Sequence, residues 1–239
     1  MKNIAFALTA AAALAHAPHA LAQAGCSSDG AARPAVILER FISADCADCW
    51  AAPGTPAAAD GSRTVALDWI VPGAAGDDAP LSAAATRDGL LRLADLGRAA
   101  PKGTDVHVAS VTSPPSGRVR VASGPPVNDY LGASIAWRPP TGGTTRGTTA
   151  GGPWQYHLLL VEAIAPGTEG SAGGRNVVRN MLQGTWDKGR QLSKPNQSGW
   201  VEMRAMRIPE GARPERLFMV GWVQDAQGHT VAAAQSVCR

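Results

Sequence analysis

The sequence predicts a mixed α/β unit followed by a β-rich unit, and three observations carry that reading. A short run from Pro34 to Ile42, with β-branched Val36, Ile37 and Ile42, leads straight into Cys46-Ala47-Asp48-Cys49. Residues 82–97 set Leu90, Leu91, Leu93, Ala94 and Leu96 among Arg87, Asp88, Arg92 and Asp95, the pattern of an amphipathic helix. Beyond about residue 105 the chain becomes a series of strand-like runs parted by turn-rich segments. The change of character falls near residue 115. It divides the chain into 25–115 and 116–239, with 1–24 set apart as a leader.

The leader reads as a cleavable signal peptide. Lys2 supplies a positive charge, and the apolar run Ile4 to Ala15 is too short to span a hydrocarbon core of roughly 30 Å as a helix. Ala20-Leu21-Ala22 and Ala22-Gln23-Ala24 both fit the small-x-small preference of a cleavage site. The expected location is therefore the periplasm or outside the cell. Cys26 follows closely, but Gln23 occupies the place where a lipoprotein signal wants an aliphatic residue, so a soluble product is favoured over a lipid-anchored one. No later stretch reaches the ~18 apolar residues of a membrane helix, and no integral membrane segment is expected after cleavage.

The elements follow in order. Pro34 opens the first strand and Ser43-Ala44-Asp45 closes it. A first helical turn over Cys46 to Ala52 is expected to kink or stop at Pro53, Gly54 and Pro56. Thr64 to Val71 is the second strand, ended by Pro72-Gly73. The amphipathic helix over 82–97 has Gly97 as its stop. Strands are then expected at 105–111, 118–122, 130–137, 154–164, 199–208, 217–224 and 229–237. The last two flank Asp225-Ala226-Gln227-Gly228, a hairpin signal. Asn176 to Leu182 reads as a short helix, and the glycine- and threonine-rich 141–152 as a mobile hairpin loop.

A formal net charge of +3 with no long basic run excludes a nucleic-acid footprint. Arg118 and Arg120 alternate with valines, as on the wet face of a strand. The four cysteines form a near pair, Cys46 and Cys49, and a far pair, Cys26 and Cys238. An oxidising compartment favours disulfides, and chain ends often lie together. The simplest assignment is one Cys-x-x-Cys couple and one structural disulfide joining the ends.

A strand that delivers Cys-x-x-Cys to a helix start places the first sulfur where unpaired helix N–H groups favour a thiolate. The second sulfur, one turn on, can resolve a mixed disulfide. Cys46 is therefore the candidate attacking thiol and Cys49 the resolving one. Asp45 and Asp48 place negative charge beside them and oppose a thiolate, which points away from a strong oxidant. Structural zinc takes more ligands than this pair supplies. A c-type haem wants histidine after the second cysteine, where Trp50 stands, so no cofactor is expected. Two readings stay open: an exchange couple acting on a protein or small-thiol redox partner, or an inert disulfide.

At these residues the sequence resembles a secreted thioredoxin-like family known only as a domain of unknown function, number 1223. Its members open on a strand, Phe-Thr-Ser and a Cys-x-x-Cys; Phe41, Ser43, Cys46 and Cys49 keep that frame. Asn176, Val177, Val178, Arg179, Gly184 and Trp186 match a later segment of the family, and Gln224 and Gly228 its closing hairpin. The second strand keeps Asp68 and Trp69 of a longer family motif. The family sets a proline before its third strand; Pro101 and Pro126 are the candidates. The resemblance implies a thioredoxin-like fold for 25–115, followed by a β-rich, sandwich-like domain, and thiol–disulfide exchange through the cysteines.

Other residues have plainer readings. Asp68 ends a strand beside the cysteine strand and reads first as a solvated acid, or else as proton acceptor for the resolving thiol. His107 and His229 read as surface or satisfied histidines. Arg175 and Arg179 read as the solvated face of a short helix. Trp137, Trp154, Trp200 and Trp222 fall in strands, where packing is the default. The functional alternatives are a thiol–disulfide exchange protein and a non-enzymatic envelope binding module whose Cys-x-x-Cys is a structural disulfide.

Overall fold

The computed structural model describes residues 25–52, 63–112, 117–140, 153–187 and 199–238. The leader, the proline-containing stretch 53–62 and the loop 141–152 lie outside the described residues. The first half is a β–α–β–α–β series. Strand β1 (Val36–Ser43) is followed by the five-residue helix α1 (Ala47–Ala51), β2 (Thr64–Val71), α2 (Arg87–Asp95) and β3 (Thr104–Ser110). β1 pairs in parallel with β2 along its whole length and antiparallel with β3 on its other side. A parallel neighbour requires a crossover connection, and α1 with the chain after it supplies one.

The second half is β-rich. It comprises β4 (Arg118–Ser123), β5 (Tyr130–Arg138), β6 (Trp154–Ile164), β7 (Arg175–Trp186), β8 (Trp200–Arg207), β9 (Leu217–Gln224) and β10 (Thr230–Gln235). Together with β1, β2 and β3 these strands form two sheets. One has the order β4-β5-β8; the other is seven-stranded, β10-β9-β6-β7-β2-β1-β3. Hydrogen bonding in the larger sheet thus runs across residue 115, since β7 pairs with β2 at Asp68 and Val177. The chain just after β3 is tied to the start of β10, because Thr112 N–H donates to Thr230 O at 2.9 Å.

One expectation is overturned here. Asn176 to Leu182 is not a helix but the middle of β7, a strand of twelve residues paired with β6 from Trp154↔Trp186 to Ile164↔Arg175. Val177 and Val178 are β-branched and suit a pleated, buried surface better than a helix turn. The long partner strand decides between two local patterns that the segment alone satisfies equally.

Three apolar clusters hold the layers together. Ile37, Phe41, Leu67 and Trp69 pack on one face of the large sheet with Leu93 of α2. Ile42, Ile70, Ile164 and Val177 pack on the opposite face with Trp50 of α1. Val121, Ile135 and Trp137 of the small sheet pack against Leu158, Leu160, Met219 and Val223 of the large one. Gly221 permits that approach: a Cβ there would lie 2.7 Å from Val121 Cγ1 and 3.1 Å from His157 O. Trp137, Trp154, Trp200 and Trp222 are all buried, as are Trp69 of β2 and Trp186 of β7.

Candidate functional site

β1 carries the chain to the cysteines. Its last residue, Ser43, donates its N–H to Gly103 O at 2.8 Å, and Cys46 N–H donates to Ser43 O at 3.0 Å. Cys46 is the N-cap of α1, with Cys49 N–H 3.2 Å from Cys46 Sγ. The two cysteines are joined by a disulfide, and both are half-buried. Gly103, in the turn before β3, lies against them; a Cβ there would sit 3.6 Å from Cys49 Sγ. Pro101 is two residues upstream in that turn, whereas Pro126 belongs to the β4–β5 connection.

The far end of α1 is held by Arg175. Its guanidinium donates to Trp50 O at 2.8 Å, to Ala52 O at 2.7 Å and, more distantly, to Cys49 O at 3.4 Å. Carbonyls at a helix C-terminus lack partners within the helix, and a cation there also complements the dipole. The same guanidinium lies over the Trp50 ring, 5.2 Å from its centre, and Trp50 Nε1 donates to Glu169 O at 2.6 Å. Arg175 Nε donates to Ser171 Oγ at 2.9 Å. Burial holds the Arg175 guanidinium below its ordinary pKa, while Asp68 pulls the other way.

Asp68 is fully buried and is not a solvated strand end. Arg40 Nε lies 2.7 Å from Asp68 Oδ1, and Arg40 Nη2 donates to Oδ2 at 2.9 Å. Arg175 Nη1 stands 3.4 Å from Oδ1, and Asn176 N–H donates to Oδ2 at 3.1 Å. The groups on Asp68 are thus arginines and a backbone amide. Through Arg175 the acid is tied to the helix that carries the cysteines.

The two flanking acids differ. Asp45 turns to the neighbouring loop and accepts from Ala74 N–H at 2.7 Å and Ala75 N–H at 3.2 Å. Asp48 lies exposed in the first turn of α1. Arg175 and Arg179 are buried in β7 rather than solvated on a helix, because each faces a buried carboxylate. Arg179 pairs with Glu162 at 2.6 Å. Cys26 and Cys238 are joined by a second disulfide, which links residues 212 apart in sequence.

Sequence reasoning missed Arg40 and misplaced Arg175. A signal existed: Arg40 and Asp68 each interrupt an apolar strand in a sheet covered on both faces. A charge in such a strand has to find a partner. A scan against protein-family models gives no match for this chain, and a search of curated proteins gives none either.

Proposed function

We propose that this chain is an exported, thioredoxin-like, non-enzymatic binding module in which Cys46–Cys49 is a fixed structural disulfide. The observation that carries this reading is the double fastening of α1. The helix is a little over one turn long, with a disulfide closing its first turn and Arg175 holding its last carbonyls. A pair that cycles between dithiol and disulfide has to rearrange at each turnover, and this helix is restrained at both ends. Asp45 and Asp48 flank the sulfurs, and Arg175 is engaged at the opposite end of the helix.

The thioredoxin-like part rests on β1 running into the cysteines between a parallel and an antiparallel neighbour, with α1 and α2 on opposite faces. The export part rests on the leader pattern and on two formed disulfides, which persist in oxidising compartments. Among the described residues no helix is long and apolar enough to cross a membrane.

One observation favours the second reading, thiol–disulfide exchange. Cys46 caps α1, the position where a thiolate gains from helix N–H groups. In that scheme the pair is first opened by a thiol reductant; the Cys46 thiolate then attacks a partner disulfide, breaking its S–S bond, releasing one partner thiolate and forming a mixed disulfide. Cys49 then displaces the reduced partner, leaving Cys46–Cys49 oxidised. The test is turnover: catalytic amounts of the protein are mixed with a disulfide substrate and a thiol reductant. The module reading predicts the same rate for wild type and for Cys46→Ser with Cys49→Ser. A wild-type rate that the double substitution abolishes would establish exchange instead.

A further inference from the structure

A slot between two strand edges completes the module reading, on which this inference rests. Residues 26–28 run between β4 and the chain just past β10, with Ser27 bridged antiparallel to Ala122 on one side and to Val237 on the other. Ser28 N–H donates to Val121 O at 2.9 Å, Ser123 N–H to Cys26 O at 2.8 Å, and Ser27 and Val237 exchange both backbone bonds. At Asp29-Gly30 the chain turns away. The two edges continue past that point without it.

Antiparallel pairing fixes which groups face the space left between them. Residues whose backbone bonds point away from a partner strand alternate along the chain. Since Val121 points away from β5, Val119 does too; since Val237 points away from β9, so does Gln235. Val119 and Gln235 therefore aim N–H and C=O groups at a cleft of about 380 Å³. Arg33, Arg118 and Arg120 line it beside a single acid, Asp29. Arg120 is committed to Asp29 at 2.6 Å; Arg33 and Arg118 form no ion pair among the described residues, and Arg118 acts on Asp29 only at longer range.

The geometry points to a binding site for a short extended peptide that carries an acidic side chain. The peptide backbone pairs with Val119 and Gln235, as residues 26–28 pair with the same edges further along, and its carboxylate meets Arg118 and Arg33. Both arginines are exposed, so replacing them leaves the core untouched.

The test uses a fluorescein-labelled Ser-Val-Glu-Val-Asp-Val-amide and the full mature protein. Anisotropy should report binding that weakens by about tenfold or more with Arg118→Ala plus Arg33→Ala, the loss expected for a charge-assisted hydrogen bond. A lysine-for-acid peptide and a backbone N-methylated peptide should each lose as much. The amides of Val119 and Gln235 should gain protection from hydrogen exchange. No binding up to about 1 mM, equal binding of the lysine peptide, or binding without that protection would each overturn the proposal. So would a dimer of this chain that Arg118→Ala dissociates, since the slot would then serve a second copy. Turnover through the cysteines tests the module reading separately. Exchange activity with peptide binding intact would sink that reading and leave the slot standing.

Discussion

Arg175 and Asp68 meet 3.4 Å apart in the interior although 107 residues separate them in sequence. The contact joins β7 to β2 and fixes the Arg175 cation at the carbonyl end of the cysteine helix. Breaking a buried ion pair leaves an uncompensated charge, a larger loss than the pair itself contributes. Asp68→Asn should therefore destabilise the protein by about 3–5 kcal/mol, measured by urea denaturation of the oxidised protein. A loss under about 1 kcal/mol would mean that Arg40 and Arg175 reach water.

Arg175→Lys separates charge from shape. A lysine keeps the charge beside Asp68 but lacks the planar fork that spans Trp50 O and Ala52 O. Faster hydrogen exchange is expected at the amides of Trp50 in α1 and Ala52 at its C-cap, with a global loss of about 1–3 kcal/mol. Unchanged exchange there would show that the disulfide alone holds the helix.

His157 gives the protein an acid sensitivity. It is buried, stacks on Trp222 with ring centres 4.7 Å apart, and has Asp95 3.9 Å from Nε2. Burial, the dominant cause, lowers its pKa below the usual 6.5; Asp95 and Glu39 oppose that shift and Arg92 adds to it. Below about pH 6.5 the unfolded chain takes up a proton that the native protein refuses, so stability falls with pH in that window. His157→Phe, which keeps the stacking, should flatten the slope. His107, also lowered by burial, contributes in the same direction. A slope unchanged by His157→Phe but removed by His107→Gln would contradict this assignment.

Gly221→Ala should cost about 1–3 kcal/mol by overpacking, because the new methyl would press on Val121 and Ile135 between the sheets. Thermal denaturation reads the loss. A neutral outcome would mean that the small sheet shifts freely on the large one.

Replacing Cys26 and Cys238 with serine opens a link between residues 212 apart in sequence. The expected loss is about 2–5 kcal/mol, through a freer unfolded chain. Equal denaturation midpoints for the variant and wild type would show that Ser27, bridged to β4 and Val237, holds the end unaided.

Much of this architecture is local and was legible. β2, β6 and β9 coincide with their apolar runs because a strand buried on both faces reads as one block. Gly97 stops the chain after α2 with φ +65°, as its place after the last leucine suggests. The amphipathic reading of α2 was less faithful in detail. Leu90 and Leu91 face outward, while Arg92 turns in to pair with Glu39 at 2.7 Å. Partner choice between distant strands leaves no local trace, so the joining of β7 to β2 was invisible. The arginine fastening of α1 depends on that joining and was invisible with it. The candidate cysteines were plain from spacing; what surrounds them was not.

The reduction potential of Cys46–Cys49 tests the central claim most directly. The full-length mature protein is equilibrated in thiol buffers of graded potential, and each cysteine pair is quantified by alkylation and peptide mass. A structural disulfide is predicted to stay oxidised until the buffer is more reducing than about −300 mV, with Cys46 unalkylated above that. A midpoint between about −270 and −120 mV, with Cys46 the first thiol to react, would place the pair among exchange couples and contradict the account.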